Sequence, residues 1–149
     1  MCTSKSRERT RGEKAYAIDV SFMDKRENAF SGENLGWRLE TIVYLELLRR
    51  KAGTENDIYY FQSRSAEADF VVCDGNKTLA VYQVCYDISN EKTRKREMKG
   101  CITAAKATRC DNLFLITDHE SELIEEEGYT IQVIPVWEWL IKGKPIAQK

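Results

Sequence analysis

Apolar and polar positions alternate along this chain in a way that separates helical stretches from extended ones. The stretch "SGENLGWRLETIVYLELLRRKAG", residues 31–53, carries dense apolar positions at helical spacing. Ser31 or Asn34 can cap its start, Arg49, Arg50 and Lys51 suit the negative end, and Gly53 stops it. Before it, "KAYAIDVSF" predicts a short strand, and after it "DIYYFQ", "EADFVVC" and "LAVYQVCY" predict three more. A second helix is predicted from about Asn90 to Ala107, burying Met98, Ile102 and Ala105. "NLFLIT" is a continuous apolar run of the kind covered on both faces, and the acidic "DHESELIEEEG" after it reads as a loop and short helix with a solvated surface. "TIQVIP" predicts a last strand, with Pro135 leading into a short helix through "VWEWLIKG". A strand, a helix and then a strand again suit a parallel crossover, so the class is α/β, a sheet with helices packed against it.

Composition narrows this to one domain. A length of 149 residues, 42% of them hydrophobic and 32% charged, suits a single ordinary core. Residues 1–13 lack apolar periodicity and read as a flexible basic lead-in or linker stub, leaving 14–149 as the domain. No apolar run nears the roughly 18 residues of a membrane span and no secretory signal opens the chain, so a cytoplasmic protein with no membrane partner is expected. The odd count of five cysteines, with no C-x-x-C pair, fits reduced core residues, and His119 reads as a loop residue. A net charge of −1 excludes general attraction to nucleic acid and leaves two local basic patches. One is Lys5, Arg7, Arg9, Arg11 and Lys14; the other is Lys92, Arg94, Lys95, Arg96 and Lys99 in the second helix. The fragment "GNKT" at Gly75 resembles the end of a phosphate-binding loop but lacks the upstream glycine, so it reads as a hairpin turn.

The candidate chemistry begins with Glu40. Val43, Tyr44 and Leu47 follow it at spacings of three, four and seven, so a carboxylate projects from an apolar stripe, where it must be paired, hydrogen-bonded or metal-bound. Glu46 with Arg50 reads instead as a surface ion pair. On "EADFVVC", alternation groups Glu67, Asp69, Val71 and Cys73 on one face; on "LAVYQVCY" it groups Leu79, Val81, Gln83 and Cys85. An odd connecting loop, for example Gly75 to Lys77, makes Asp69 and Gln83 cross-strand neighbours, and an even one puts them on opposite faces.

A helix glutamate, a strand aspartate and the following strand together resemble the PD-(D/E)XK nuclease superfamily, with Glu40, Asp69, Gln83 and Cys85 at the catalytic positions. Over about residues 14–142, "YAIDV", "ENLGWRLETIVYLELLRR", "IYYFQSRSAEADFVV", "YQVCYDISNEKTRKRE" and "CDNLFLIT" look like the domain of unknown function that follows the ATPase module in many bacterial and archaeal AAA-type ATPases. The resemblance implies a restriction-endonuclease-like mixed sheet flanked by helices, a Mg²⁺ site on Glu40, Asp69, Gln83 and Glu67, and an AAA-type ATPase module in cis or trans. In such nucleases acidic ligands hold the metal and a lysine stabilises developing charge. Here Gln83 brings no charge and Cys85 stands where the lysine is expected, so a degenerate nuclease-like domain binding DNA or Mg²⁺ weakly is expected. An active Mg²⁺-dependent DNA nuclease and a protein-interaction module are the alternatives. The double change Gln83→Glu with Cys85→Lys is expected to recover cleavage if the site geometry survives.

Overall fold

The computed structural model describes Tyr16, Ile18 and residues 32–142; the basic lead-in and most of the predicted first strand lie outside the described residues. Among the described residues, three helices and six strands follow in order: α1 (Gly32–Lys51), β1 (Asn56–Gln62), β2 (Glu67–Asp74), β3 (Lys77–Val84), α2 (Glu91–Thr108), β4 (Leu113–Thr117), β5 (Glu122–Glu126), β6 (Tyr129–Pro135) and α3 (Val136–Lys142). The sheet order is β1-β2-β3-β4-β6-β5. β3, β4 and β6 run parallel to one another, and the remaining pairs are antiparallel. The protein is therefore α/β, a mixed six-stranded sheet flanked by helices.

The continuous apolar run predicted to be covered on both faces is β4, held between β3 and β6. Its Leu113 and Leu115 join the core under α2, with Val71, Val81, Met98, Cys101 and Ile102, while Ile116 joins the opposite core with Val43, Leu47, Phe70, Tyr82 and Trp139 from α1, α3 and the sheet. The crossover from β3 to β4 is made by α2, as its sequence predicts. Asn90 caps that helix by accepting from the amides of Lys92 and Thr93 at 3.0 and 3.2 Å, which satisfies two donors that have no partner in the first turn.

Two expectations need correction. The acidic segment after β4 is no helix: residues 122–126 form edge strand β5, hairpinned to β6 through Glu127 and Gly128, both with positive φ (51° and 81°). That turn geometry matches the strand twist, and glutamates facing solvent from an edge strand discourage pairing with another chain, so charge density here marked an edge and not a helix. Nor is Glu46–Arg50 a surface pair. The Arg50 side chain is only 4% exposed, its Nε donates to Glu46 at 2.7 Å, its Nη2 donates to the Trp139 carbonyl at 2.7 Å, and its guanidinium lies 3.9 Å from the Trp139 ring centroid. Arg49 and Arg50 together hold the Glu46 carboxyl below its ordinary range.

Arg50 thus fastens α1 to α3, which share no backbone hydrogen bonds. Replacing Arg50 by Met keeps the buried aliphatic stem but removes the charge-assisted bond and the cation–π contact, an expected loss of about 2–3 kcal/mol. Urea unfolding followed by tryptophan fluorescence measures this; an unchanged midpoint would show that the two helices dock without it.

Candidate functional site

The site forms where β2 and β3 part. The hairpin joining them has a two-residue turn, Gly75–Asn76, with Asp74 opposite Lys77 and Cys73 opposite Thr78. An even loop of this kind was expected to separate Asp69 from Gln83. One irregularity reverses that outcome, because the register shifts after Cys73, Val72 pairs with Ala80, and Phe70 pairs with Tyr82. The next positions in line are Asp69 and Gln83, brought together by a bulge and not by loop length.

Beyond Phe70 and Tyr82 the backbone ladder is replaced by side chains. The Asp69 amide donates to Gln83 Oε1 at 3.3 Å, and the Val84 amide donates to Asp69 Oδ2 at 2.9 Å. A second shift, between Tyr59 and Phe61 on β1, sets Asp69 and Phe70 together opposite Tyr60. This bulge breaks the predicted alternation: Ala68 joins Val71 and Cys73 in the core under α2, while Phe70 faces the other way. The side chains of Asp69 and Gln83 are buried, and each satisfies a backbone group that a regular strand pair would have satisfied itself.

Helix α2 closes the site from above. A Cβ built on Gly100 would lie 2.3 Å from the Glu67 carbonyl oxygen, so the helix backbone rests directly on the start of β2. One turn earlier, Glu97 is only 5% exposed. Its Oε2 accepts from Gln83 Nε2 at 2.5 Å, and its Oε1 accepts from Arg96 Nε and Nη2 at 2.9 and 2.5 Å. Glu97 was not among the residues expected at the site. A signal was present, since Cys101 and Ala104 follow it at spacings of four and seven and mark an inward-facing row.

The predicted residues fall into two groups. Glu40, Glu67, Asp69, Gln83, Arg96 and Lys99 line one cleft of about 500 Å³, together with Glu97 and the β1–β2 loop that carries Arg64. Glu40 accepts from the Tyr16 hydroxyl at 2.7 Å, and Tyr16 stacks on Tyr44. Burial, then Glu40 and Asp69, push the Tyr16 hydroxyl well above its ordinary range. Tyr60 donates to Glu67. Cys85 is placed differently, one residue past β3 and outside the cleft lining, with burial first and Glu97 second pushing its thiol up to about 11. Lys92, Arg94 and Lys95 also stand outside the lining; Arg94 pairs with Glu122 and Lys95 with Glu91, each at 2.6 Å. Among the described residues, no three His, Cys, Asp or Glu side chains stand close enough to hold one metal ion. Cys85, Cys101 and Cys110 are free thiols, and His119 sits exposed in the loop after β4.

These features define an α/β protein with a polar cleft at the divergence of two strands, with the carboxylates of Asp69 and Glu97 buried within and Arg64, Arg96, Lys99 and Glu67 exposed at its rim. The chain belongs to the family described as Domain of unknown function (DUF4143), whose model matches residues 35–139. It is similar to the uncharacterized protein MJ1544 of Methanocaldococcus jannaschii, 34% identical over 132 residues, which are 85% of this chain and 29% of that relative. The chain therefore spans under a third of the relative's length. No helix among the described residues is long and apolar enough to cross a membrane.

The contact at Gly100 generates a direct test of how the cleft is roofed. Gly100→Ala forces a methyl into the Glu67 carbonyl, and lifting the helix is expected to cost about 1–3 kcal/mol despite the better helix propensity of alanine. Chemical denaturation checks this, and a variant as stable as wild type would mean that α2 does not need that close approach.

Proposed function

We propose that the cleft is the site of a nuclease-like accessory domain, in a restriction-endonuclease-like fold, which grips the phosphodiester backbone of nucleic acid and cuts it poorly or not at all. The observation that carries this reading is the Asp69–Gln83–Glu97 arrangement under a rim of Arg64, Arg96 and Lys99. Carboxylates within and cations at the edge suit a polyanion approached from outside. Gln83 turns its carbonyl to the Asp69 amide and its NH₂ to Glu97, so its oxygen is already engaged. Mg²⁺ demands near-octahedral oxygen coordination, and an engaged neutral amide makes a poor ligand, so any Mg²⁺ binding is weak.

An AAA-type ATPase module in cis or trans is part of this reading; the matched stretch is 29% of the relative, which leaves room there for other modules. The packing also changes what a rescue requires. Gln83→Glu with Cys85→Lys would set a new carboxylate against Glu97, at a contact now 2.5 Å long, and two like charges there repel. Recovery of cleavage is therefore expected only when Glu97→Gln accompanies the other two changes.

Fluorescence polarisation with labelled duplex and single-stranded DNA, with Mg²⁺ or EDTA, tests the binding. Plasmid nicking by wild type, the triple variant and Asp69→Ala tests the chemistry. Wild type is expected to bind equally with and without Mg²⁺, to lose roughly 10- to 40-fold in affinity from 50 to 200 mM salt if two or three phosphates are contacted, and to leave the plasmid intact. No binding at low salt would sink the reading. Robust nicking that disappears in Asp69→Ala would establish an active Mg²⁺-dependent nuclease in its place.

A further inference from the structure

We propose that Arg96 is the phosphate-contacting cation of the cleft and that Glu97 is its positioning residue, so that α2 supplies the positive charge missing at Cys85. The inference rests on the nucleic-acid reading above and adds which residues create the affinity.

The geometry singles Arg96 out among the basic residues of α2. Lys95 is bonded to Glu91, with both side chains more than 70% exposed, and Arg94 forms a fork with Glu122; neither lines the cleft. Lys99 lines it on a flexible four-carbon stem. Arg96 also lines it, and its guanidinium is fixed: Nε and Nη2 both donate to Glu97 Oε1, while the other Glu97 oxygen is held by Gln83, whose own carbonyl is held by the Asp69 amide. A continuous relay of hydrogen bonds thus runs from the backbone of β2 to the cleft rim. The side chains at its outer end differ sharply in exposure, 74% for Arg96 and 6% for Glu97, so a buried carboxylate anchors a solvent-facing cation.

Anchoring has a chemical consequence. A guanidinium carries five N–H donors in a planar fork, and two of them are spent on Glu97, which leaves three for an incoming phosphate oxygen. Long surface side chains lose rotamer entropy when they are immobilised, and Arg96 has already lost much of that freedom before a ligand arrives. Its charge also reaches Cys85 and Glu67: Arg96 is among the groups that lower the otherwise raised Cys85 thiol, and Glu67 strengthens the hold of Arg96 on its proton. The cation therefore acts electrostatically on the position where the resemblance expects a lysine.

The test sets positioning against simple charge counting. The 149-residue chain is titrated into a fluorescein-labelled 20-base-pair duplex in EDTA, comparing wild type, Arg96→Gln, Glu97→Gln, Lys95→Gln and the Arg96→Gln/Glu97→Gln pair, with melting temperatures measured in parallel. Arg96→Gln is expected to weaken binding about tenfold and to lower the salt slope by about one. Lys95→Gln is expected to cost less than about threefold, the ordinary effect of an exposed charge. Glu97→Gln removes negative charge from the cleft, so Coulomb attraction alone predicts tighter binding; a positioning role predicts several-fold weaker binding, with no further loss when the change is made in the Arg96→Gln background. A purely structural role for Glu97 would show an equal loss in both backgrounds and overturns the proposal. So does tighter or unchanged binding by Glu97→Gln, or an Arg96→Gln effect no larger than that of Lys95→Gln. Absence of binding by wild type overturns the nucleic-acid reading itself, whereas wild-type binding with any of those results overturns only the roles of Arg96 and Glu97.

Discussion

The parting of β2 and β3 at Asp69 and Gln83 is the constraint on which the rest of the site depends. A pair of antiparallel strands satisfies its own amides and carbonyls, and separating them inside a protein leaves polar groups that cost roughly 1–3 kcal/mol each when unpaired. Here the side chains do what the backbone no longer can: Asp69 accepts the Val84 amide, and Gln83 accepts the Asp69 amide. The opening is stable because each strand lends the other a side chain. Neither residue can be exchanged for an apolar one without orphaning a backbone amide, buried at Asp69 and partly buried at Val84, so polarity at these positions follows from the fold before any ligand is considered.

The second requirement is that a helix reach the opening. Gly100 lets α2 rest on the Glu67 carbonyl, and that contact brings Glu97 within hydrogen-bonding distance of Gln83. Had β3 carried a glutamate at position 83, Glu97 would face a like charge and the approach would be opposed. An amide is the group that accepts the Asp69 N–H and donates to a carboxylate at the same time. Gln83 and Glu97 are therefore best understood together, since the neutral strand residue is what permits the charged helix residue to be buried beside it.

Much of the architecture was legible in the sequence. The α1 pattern, the β3–α2–β4 crossover and the doubly covered β4 followed from apolar periodicity, which reports burial directly. What escaped reading depended on geometry that periodicity does not encode. Glutamates at 122, 125, 126 and 127 look like a solvated helix, and only the positive φ of Glu127 and Gly128 turns them into an edge hairpin. Asp69 and Gln83 were expected to pair through an odd loop; they meet instead through a two-residue turn followed by a bulge, two departures that cancel. Arg50 reads as a surface partner of Glu46 because its main neighbour, Trp139, lies far along the chain. Glu97 was missed for a related reason: Met98, Ile102 and Ala105 define an evident apolar row, and the row beside it, through Glu97, Cys101 and Ala104, is composed of smaller groups that mark a close approach to the sheet.

That close approach also bears on how the carboxylates of the cleft coexist. Glu40, Glu67, Asp69 and Glu97 all line it, and in an enclosed space such charges repel unless something positive or hydrogen-bonding intervenes. Each has a partner supplied by the protein: Glu40 the Tyr16 hydroxyl, Glu67 the Tyr60 hydroxyl, Asp69 the Val84 amide, and Glu97 both Gln83 and Arg96. Repulsion is thus offset by five separate donors belonging to the chain. Distributing the compensation in this way keeps the carboxylates apart, and it accounts for the finding that no three of them converge at metal-binding distance among the described residues.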